Sequence, residues 1–161
     1  MSLAGSALPG NLQHKIEKMK KQITANEKLI RDAYQKAEVK DITGFVDMFA
    51  EGGYFWDVAN GRKFYGNDIG KTVEIMANAF SDYHRELLNF YTDEDSNLVI
   101  VELKLQGTQD GPLRLEKGTF PPSGKKMDVP CCDLWFIEGG KIKAFHCYNF
   151  TIQFFRQIGA F

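Results

Sequence analysis

Cysteine is scarce in this 161-residue chain: there are three, two of them adjacent, and an odd number does not make a disulfide framework. No apolar run approaches the about 20 residues that a membrane-spanning helix needs. Residues 1–10 have neither the positive start nor the apolar stretch of a signal peptide. We therefore expect a reduced, cytoplasmic protein that does not insert into a membrane.

A surplus of positive charge is also missing. Lys and Arg number 20 against 21 Asp and Glu, and the formal net charge is −1. No basic stripe recurs along the predicted strands, so a nucleic-acid partner is not expected. The sequence has no Cys-x-x-Cys pair, Gly-rich phosphate loop or Ser-His-Asp elbow, so it predicts neither a metal site nor a bound cofactor.

Aromatic residues, by contrast, are abundant. The chain contains 13 Phe, 6 Tyr and 2 Trp, and 43% of its residues are hydrophobic. So many rings predict a core that surrounds a ligand or meets a partner. Residues 1–10, which are small and include Gly and Pro, are expected to form a disordered lead-in, and residues 11–161 a single domain.

The hydrophobic pattern changes from helical to extended along the chain. Apolar residues recur at helical spacing over residues 12–37, with a lapse at residues 24–26. A second helix is predicted from Asp41 to Gly52-Gly53, and a third is capped by Asn67 or Asp68. Helices first and a long antiparallel meander afterwards predict an α+β domain that ends in a short helix. We place the strands at residues 54–58, 63–65, 83–92, 98–108, 113–118, 126–137 and 141–150.

The last two predicted strands meet at Gly139-Gly140, a pair that favours a tight two-residue turn. An acid directly across the hairpin from an imidazole lies within hydrogen-bonding reach, because opposed Cβ atoms are about 4.5–5.5 Å apart. His146 is therefore predicted to be a general base or acid that Asp133 orients. Tyr34, or Tyr148 on the same face as His146, is predicted to donate a hydrogen bond to a developing oxyanion. The turn fixes a register that pairs Glu138 with Lys141, Ile137 with Ile142, Trp135 with Ala144 and Asp133 with His146.

Two alternatives to this chemistry stay open. Asp133 and His146 are also consistent with a buried structural contact, and a slip of one residue would separate them onto opposite faces. Asp57 lies in an aromatic stretch, where burial would raise its pKa and suit it to abstract a proton beside a carbonyl. Asp57 could instead accept amide hydrogen bonds in the turn at residues 59–61.

The opposite face of the hairpin is strongly apolar. The same register places Cys132 across from Cys147 on that face, where both are predicted to be buried rather than ligands or nucleophiles. A face of this composition is too apolar for solvent, so we expect a second copy of the chain to cover it in a homodimer. The face carries Leu134, Phe136, Phe145 and Cys147.

The order and spacing of several short motifs are characteristic. The motifs are Phe49-Ala50-Glu51, Trp56-Asp57, Tyr65-Gly66-Asn67-Asp68-Ile69, Leu105-Gln106-Gly107-Thr108, Pro122-Ser123-Gly124-Lys125-Lys126, Asp133, Gly140-Lys141-Ile142 and Gln157-Ile158-Gly159. Together they resemble the nuclear transport factor 2-like superfamily, in particular its SnoaL-like polyketide cyclase branch. The resemblance implies a curved antiparallel sheet wrapped as a cone over three N-terminal helices, with a short C-terminal helix, an apolar pocket and a sheet-to-sheet dimer. It implies no single activity, since relatives include cyclases, isomerases, dehydratases and non-catalytic proteins.

The resemblance also assigns positions to the family's functional residues. In ketosteroid isomerase-like members, a carboxylate at the position of Asp57 is the general base, and a supporting Tyr on the first helix falls at Ala33, next to Tyr34. Cyclase-like members carry an Asp on the last strand, where this chain has Phe150 with Asn149 alongside. Neither mechanism transfers intact.

Two functions follow as expectations. The first is a cofactor-independent isomerase, cyclase or lyase that uses acid–base chemistry on a small, apolar, carbonyl-bearing molecule. The second is a non-catalytic ligand-binding or dimerisation domain. The aromatic residues predicted to line the pocket are Tyr34, Phe49, Trp56, Phe80, Trp135 and Phe150.

Overall fold

The computed structural model describes residues 23–116 and 118–160, and the predicted lead-in and the start of the first predicted helix lie outside these residues. The helices are α1 (Ala25–Glu38), α2 (Ile42–Val46), α3 (Asp68–Ala79) and α4 (Thr151–Ile158). The strands are β1 (Phe49–Asp57), β2 (Arg62–Tyr65), β3 (His84–Asp93), β4 (Leu98–Thr108), β5 (Leu113–Leu115), β6 (Gly118–Phe120), β7 (Lys126–Glu138) and β8 (Lys141–Asn149).

Side-chain caps explain where the first two described helices begin. The Thr24 hydroxyl accepts from the Glu27 amide at 3.1 Å, so α1 starts at the lapse predicted for residues 24–26. Asp41 caps α2 by accepting from the Gly44 amide at 3.0 Å. The predicted end of this helix at Gly52-Gly53 is wrong: α2 stops at Val46, and the two glycines lie inside β1.

Six strands form one sheet in the order β2-β1-β8-β7-β4-β3. Adjacent strands are antiparallel except for β1 and β8, which run parallel and join β1 and β2 to the later strands of the predicted meander. The strand predicted at residues 113–118 is instead two short strands, β5 and β6, which pair in a separate two-stranded sheet. The α+β cone, with three helices ahead of the long strands and a short C-terminal helix, is confirmed.

The core lies between the helices and one face of the sheet. Inward positions of α1 recur at helical spacing, and Ile30 and Ala33 are fully buried. On β4 alternate residues are buried, as a strand with one core face requires. A second buried cluster lies under α4 and includes Phe80, Val129 and Ile158. Within the described part of the chain, no helix combines the length and the apolarity needed to cross a bilayer.

The turn between β7 and β8 forms as the sequence predicts. Gly139 and Gly140 have φ of 57° and 74°, the two positive values that a type I′ turn needs. The predicted pairings next to the turn, Glu138 with Lys141 and Ile137 with Ile142, are confirmed.

Beyond those pairs the register shifts between Phe136 and Ile137. Phe136 faces Ala144, which leaves Lys143 as the extra residue of a β-bulge. The predicted pairings of Trp135 with Ala144 and of Asp133 with His146 are therefore wrong. Observed partners are Trp135 with Phe145, Leu134 with His146 and Asp133 with Cys147. The bulge thus sends Asp133 and His146 to opposite faces of the sheet.

Candidate functional site

A cavity of about 480 Å³ lies between the inner face of the sheet and the helices. This volume is within the range of about 300–1,000 Å³ that is typical of small-molecule sites. Its wall is mainly apolar and aromatic, with residues drawn from both buried clusters. They include Phe45, Phe55, Phe64, Met76, Phe120 and Phe154.

One acid is buried in this wall. Asp133 occupies an inward position of β7, between Cys131 and Trp135, and its side chain is almost completely buried. The Tyr34 hydroxyl, presented by α1, donates to Asp133 Oδ2 at 2.6 Å. The Cys131 thiol donates to Oδ1 at 3.3 Å. Both carboxyl oxygens are therefore hydrogen-bonded within the protein.

Burial raises the pKa of Asp133 to about 6, against the hydrogen bond from Tyr34 and the charge of Arg85, which lower it. Burial and the neighbouring Asp133 raise the pKa of Tyr34 well above its ordinary value. A carboxyl group with a pKa near 6 changes its charge close to neutral pH, which suits it to take up and release protons.

The Tyr34 hydroxyl connects two groups. It donates to Asp133 and accepts from Trp135 Nε1 at 3.1 Å. A protonated Asp133 can reverse the first bond and donate to the tyrosine oxygen, which frees the tyrosine hydrogen to donate elsewhere. Protonation of Asp133 would therefore change what Tyr34 offers to a molecule in the cavity, whose wall contains both residues.

Two further polar residues line the cavity near Asp133. Tyr83 immediately precedes β3, and Arg85 lies on that strand with its guanidinium carbon 4.5 Å from the centre of the Tyr83 ring. Within residues 23–116 and 118–160 the Tyr83 hydroxyl makes no hydrogen bond, and burial raises its pKa. The Arg85 side chain is only 13% exposed, and its Nη1 is 3.5 Å from Glu38 Oε2.

The inner cysteine pair differs from the predicted one. Cys131 and Cys147 have their Sγ atoms 3.5 Å apart, whereas Cys132 lies on the outer face. Ligand atoms of Cys131, Asp133 and Cys147 lie within 4.8 Å of one another, the spacing of a possible metal site. The hydrogen bond with Cys147 and burial both raise the pKa of the Cys131 thiol, which opposes the thiolate that a metal requires. We therefore interpret the cluster as a hydrogen-bonded network.

His146, the predicted base, lies outside the cavity. Its Nε2 is 2.9 Å from the Tyr54 hydroxyl, and its ring packs edge-on against Trp56 on the outer face. Partial burial and the charge of Lys63 lower its pKa. Tyr148 is on the same outer face and 41% exposed. Neither side chain is among those that line the cavity.

Asp57 lies at the rim of the cavity and is half-buried. Its carboxylate accepts from the Asn60 amide at 3.3 Å and from Asn60 Nδ2 at 2.6 Å. These contacts match the turn interpretation of Asp57, while its place in the wall keeps it within reach of a bound molecule.

Only some of the aromatic residues predicted to line the pocket do line the cavity. Tyr34 and Trp135 line the cavity. Phe49 and Phe80 are buried in the core away from its lining, Trp56 lies on the outer face, and Phe150 is 61% exposed.

Sequence reasoning missed Tyr83 and Arg85. Their alternation with Leu87 is the signal that could have found them, because alternate residues of a strand share a face. A single Arg among inward positions is the unusual feature of that pattern.

Solved structures of similar shape come from several bacteria. A candidate SnoaL-like polyketide cyclase of Jannaschia sp. CCS1 has a TM-score of 0.70 at 21% identity, over 84% of this chain and 92% of that one. AclR of Streptomyces galilaeus, a candidate hydroxylase, has a TM-score of 0.71 at 14% identity, over 87% and 99% of the two chains. At these identities the likeness establishes the fold alone.

A third structure, from Catenulispora acidiphila, has a ketosteroid isomerase-like fold and was solved with trimethylamine; its TM-score is 0.66 at 17% identity, over 81% of this chain and 92% of that one. No curated protein matches the sequence significantly. The family model described as the SnoaL-like domain matches residues 30–145, which is most of the chain. On that match and on its fold, the chain belongs to the SnoaL-like domain family.

Proposed function

We propose that the protein is a cofactor-independent acid–base enzyme for a small, mostly apolar, carbonyl-bearing molecule bound in the cavity. Asp133, rather than His146, is the group that transfers the proton. The observation that carries this proposal is the buried carboxyl group of Asp133 in the cavity wall, 2.6 Å from the Tyr34 hydroxyl.

The reaction begins with ionised Asp133. The carboxylate removes a proton from the carbon next to the carbonyl, so the C–H bond breaks and its electron pair forms an enolate. The proton now on Asp133 lets it donate to the Tyr34 oxygen, and the Tyr34 hydrogen turns to the enolate oxygen. Return of the proton to another carbon completes an isomerisation, and loss of a leaving group completes an elimination.

A non-catalytic binding protein is the second candidate, and one observation favours it. Both carboxyl oxygens of Asp133 already accept hydrogen bonds from Tyr34 and Cys131, which is how a purely structural buried acid would be stabilised. In that case Asp133 would shape the cavity without exchanging a proton with its ligand.

The test is turnover of apolar β,γ-unsaturated ketones, followed by the ultraviolet absorbance of the conjugated product. We expect Asp133→Asn to lower kcat by about 10²-fold or more, because a positioned acid or base contributes about 10²–10⁴-fold. Asp128→Asn is the matched control, since Asp128 lies on the outer side of the same strand and does not line the cavity. Unchanged turnover by Asp133→Asn would refute the role of Asp133, whereas absence of turnover by the wild type would favour the binding protein.

We also propose that the outer face of the sheet forms a homodimer. Phe145 and Cys147, predicted to lie on that face, point inward instead, but Leu134 and Phe136 remain on it beside His146. Further large side chains on the sheet are exposed, as an interface would require. They are Tyr65, Leu88, Tyr91 and Tyr148. Sedimentation equilibrium would test this, with a monomer at micromolar concentration as the contrary result.

A further inference from the structure

We infer that the natural ligand of the cavity carries a carboxylate, held by Arg85 and the Tyr83 hydroxyl, on an apolar body. The inference rests on the proposed function in that both place one small molecule in this cavity, and it adds the chemical class of that molecule.

The guanidinium of Arg85 has more donors than the protein uses. A guanidinium offers five N–H groups, and a buried one needs acceptors for them. Within the described residues, Arg85 makes one ion pair, at 3.5 Å to Glu38, and no hydrogen bond. The other oxygen of Glu38 lies 2.6 Å from His84 Nδ1, so this carboxylate is shared between two side chains. The nearly buried Arg85 therefore has donors left for a ligand.

Tyr83 supplies a second donor at the same place. The guanidinium of Arg85 lies over its ring, so the two side chains hold each other in position. The Tyr83 hydroxyl has no partner within the described residues, although burial raises its pKa and the residue lines the cavity. A guanidinium beside a free hydroxyl matches the two oxygens of a carboxylate.

The other arginine of the wall is a weaker candidate. Arg62 lies at the rim, 47% exposed, and its Nη1 is 3.2 Å from Glu116 Oε2. Solvent screens its charge, and its carboxylate partner comes from the protein itself. Of these two arginines, Arg85 has the less exposed side chain, so its charge is less screened by solvent and is better placed to bind an anion.

The position of Arg85 also connects anion binding with the chemistry at Asp133. The charge of Arg85 lowers the pKa of Asp133, so the two groups lie within each other's electrostatic range. A carboxylate bound at Arg85 would neutralise part of that charge and favour the protonated form of Asp133. The remaining wall is apolar, so the rest of the ligand is expected to be hydrocarbon or aromatic.

A pair of probes of equal shape tests the inference: 2-naphthoate, an anion, and 2-acetonaphthone, its neutral methyl ketone analogue. Binding to the full-length protein is measured by isothermal titration calorimetry at pH 7. We expect the wild type to bind naphthoate roughly 10- to 100-fold more tightly than the ketone, the range expected for charge-assisted hydrogen bonds. Arg85→Gln should lose that preference and still bind the ketone, whereas Arg62→Gln should keep the preference.

Two more variants refine the result. Tyr83→Phe should weaken naphthoate binding severalfold, and Arg85→Lys, which keeps the charge but loses the fork, should fall between the wild type and Arg85→Gln. If Arg85→Gln does not fold, Arg85→Lys tests the same prediction, a weaker preference for naphthoate over the ketone. The inference is overturned if naphthoate does not bind, if the wild type shows no preference for it, or if Arg62→Gln loses the preference instead.

Separate measurements on two variants distinguish the anion site at Arg85 from the proton transfer at Asp133. Asp133→Asn should lower turnover by about 10²-fold or more, yet it should bind naphthoate at least as well as the wild type because a negative charge leaves the site. If Asp133→Asn retains turnover, the proposed chemistry fails while the anion site stands. If Arg85→Gln binds naphthoate normally, only the anion site fails.

Discussion

Replacing Asp133 by Asn should change how the stability of the protein depends on pH. The fold holds the carboxyl group of Asp133 at a pKa of about 6, above its ordinary value of 3.8. The folded state therefore binds this proton more tightly than the unfolded state does. For an acid with a raised pKa, the stabilisation is complete below the unfolded pKa and is lost as pH rises through the folded pKa.

The size of the effect follows from the shift. Roughly two pKa units correspond to about 3 kcal/mol, since one unit is worth about 1.36 kcal/mol. Asp133 is almost completely buried, so little of this is lost to solvent screening. Asn resembles the neutral acid in shape and cannot ionise. The free energy of unfolding of Asp133→Asn relative to the wild type should therefore rise by about 3 kcal/mol from pH 3 to pH 7.

Urea unfolding of both proteins at half-unit pH steps measures this difference, because contributions from all other titrating groups cancel in it. The change should be concentrated between about pH 4 and pH 6. A difference that stays constant over this range would refute the reasoning, since it would mean that the fold does not raise the pKa of Asp133. A difference that falls with pH would mean that the fold lowers it.

Three other predictions follow. Tyr34→Phe removes a hydrogen bond that lowers the pKa of Asp133. The midpoint of the pH–rate profile should therefore move to higher pH. An unchanged midpoint would show that this hydrogen bond does not affect the pKa of Asp133. Deletion of Lys143 removes the extra residue and leaves Phe136 opposite Ala144, so Phe145 and Cys147 should stay on the inner face. Urea unfolding should therefore show far less than the several kcal/mol that turning these side chains outward would cost, and a loss of that size would contradict the observed register. Cys132 is half-buried and Cys131 and Cys147 are buried, so a thiol reagent should modify Cys132 first in the native protein, as peptide mass mapping would reveal.

The two-glycine turn and the alternation along β7 could be predicted from the sequence. Asp133 shares the inward face with Trp135 and Ile137 because side chains alternate at every residue of a regular strand. That part of the pattern places Asp133 correctly in the core without any knowledge of the partner strand.

The bulge in β8 could not be predicted from the alternation of side chains. Ile142 and Phe145 both lie on the inner face although they are three positions apart, so the alternation fails between them, at Lys143. A shift of one residue exchanges the faces of everything beyond it, so His146 moved to the outer face while Asp133 stayed inside. The error therefore affected the partner of Asp133 and not Asp133 itself.

The partners of Asp133 come from distant parts of the chain. On α1 both Ala33 and Tyr34 are buried, so helical spacing alone does not say which one reaches the acid. Arg85 was missed because a charged residue on a strand is ordinarily assigned to solvent. Two features bring Tyr34, Arg85 and Asp133 to one cavity: α1 packs on the inner face of the sheet, and β3 lies in the same sheet as β7, with β4 between them.

The most direct test of the central claim is the rate of deuterium incorporation from D2O into the carbon next to the carbonyl of an apolar ketone, measured by mass spectrometry. We expect Asp133→Asn to lose this exchange, and we expect His146→Ala, which is altered on the outer face, to keep a rate close to that of the wild type. Loss of exchange in His146→Ala with normal exchange in Asp133→Asn would contradict the claim.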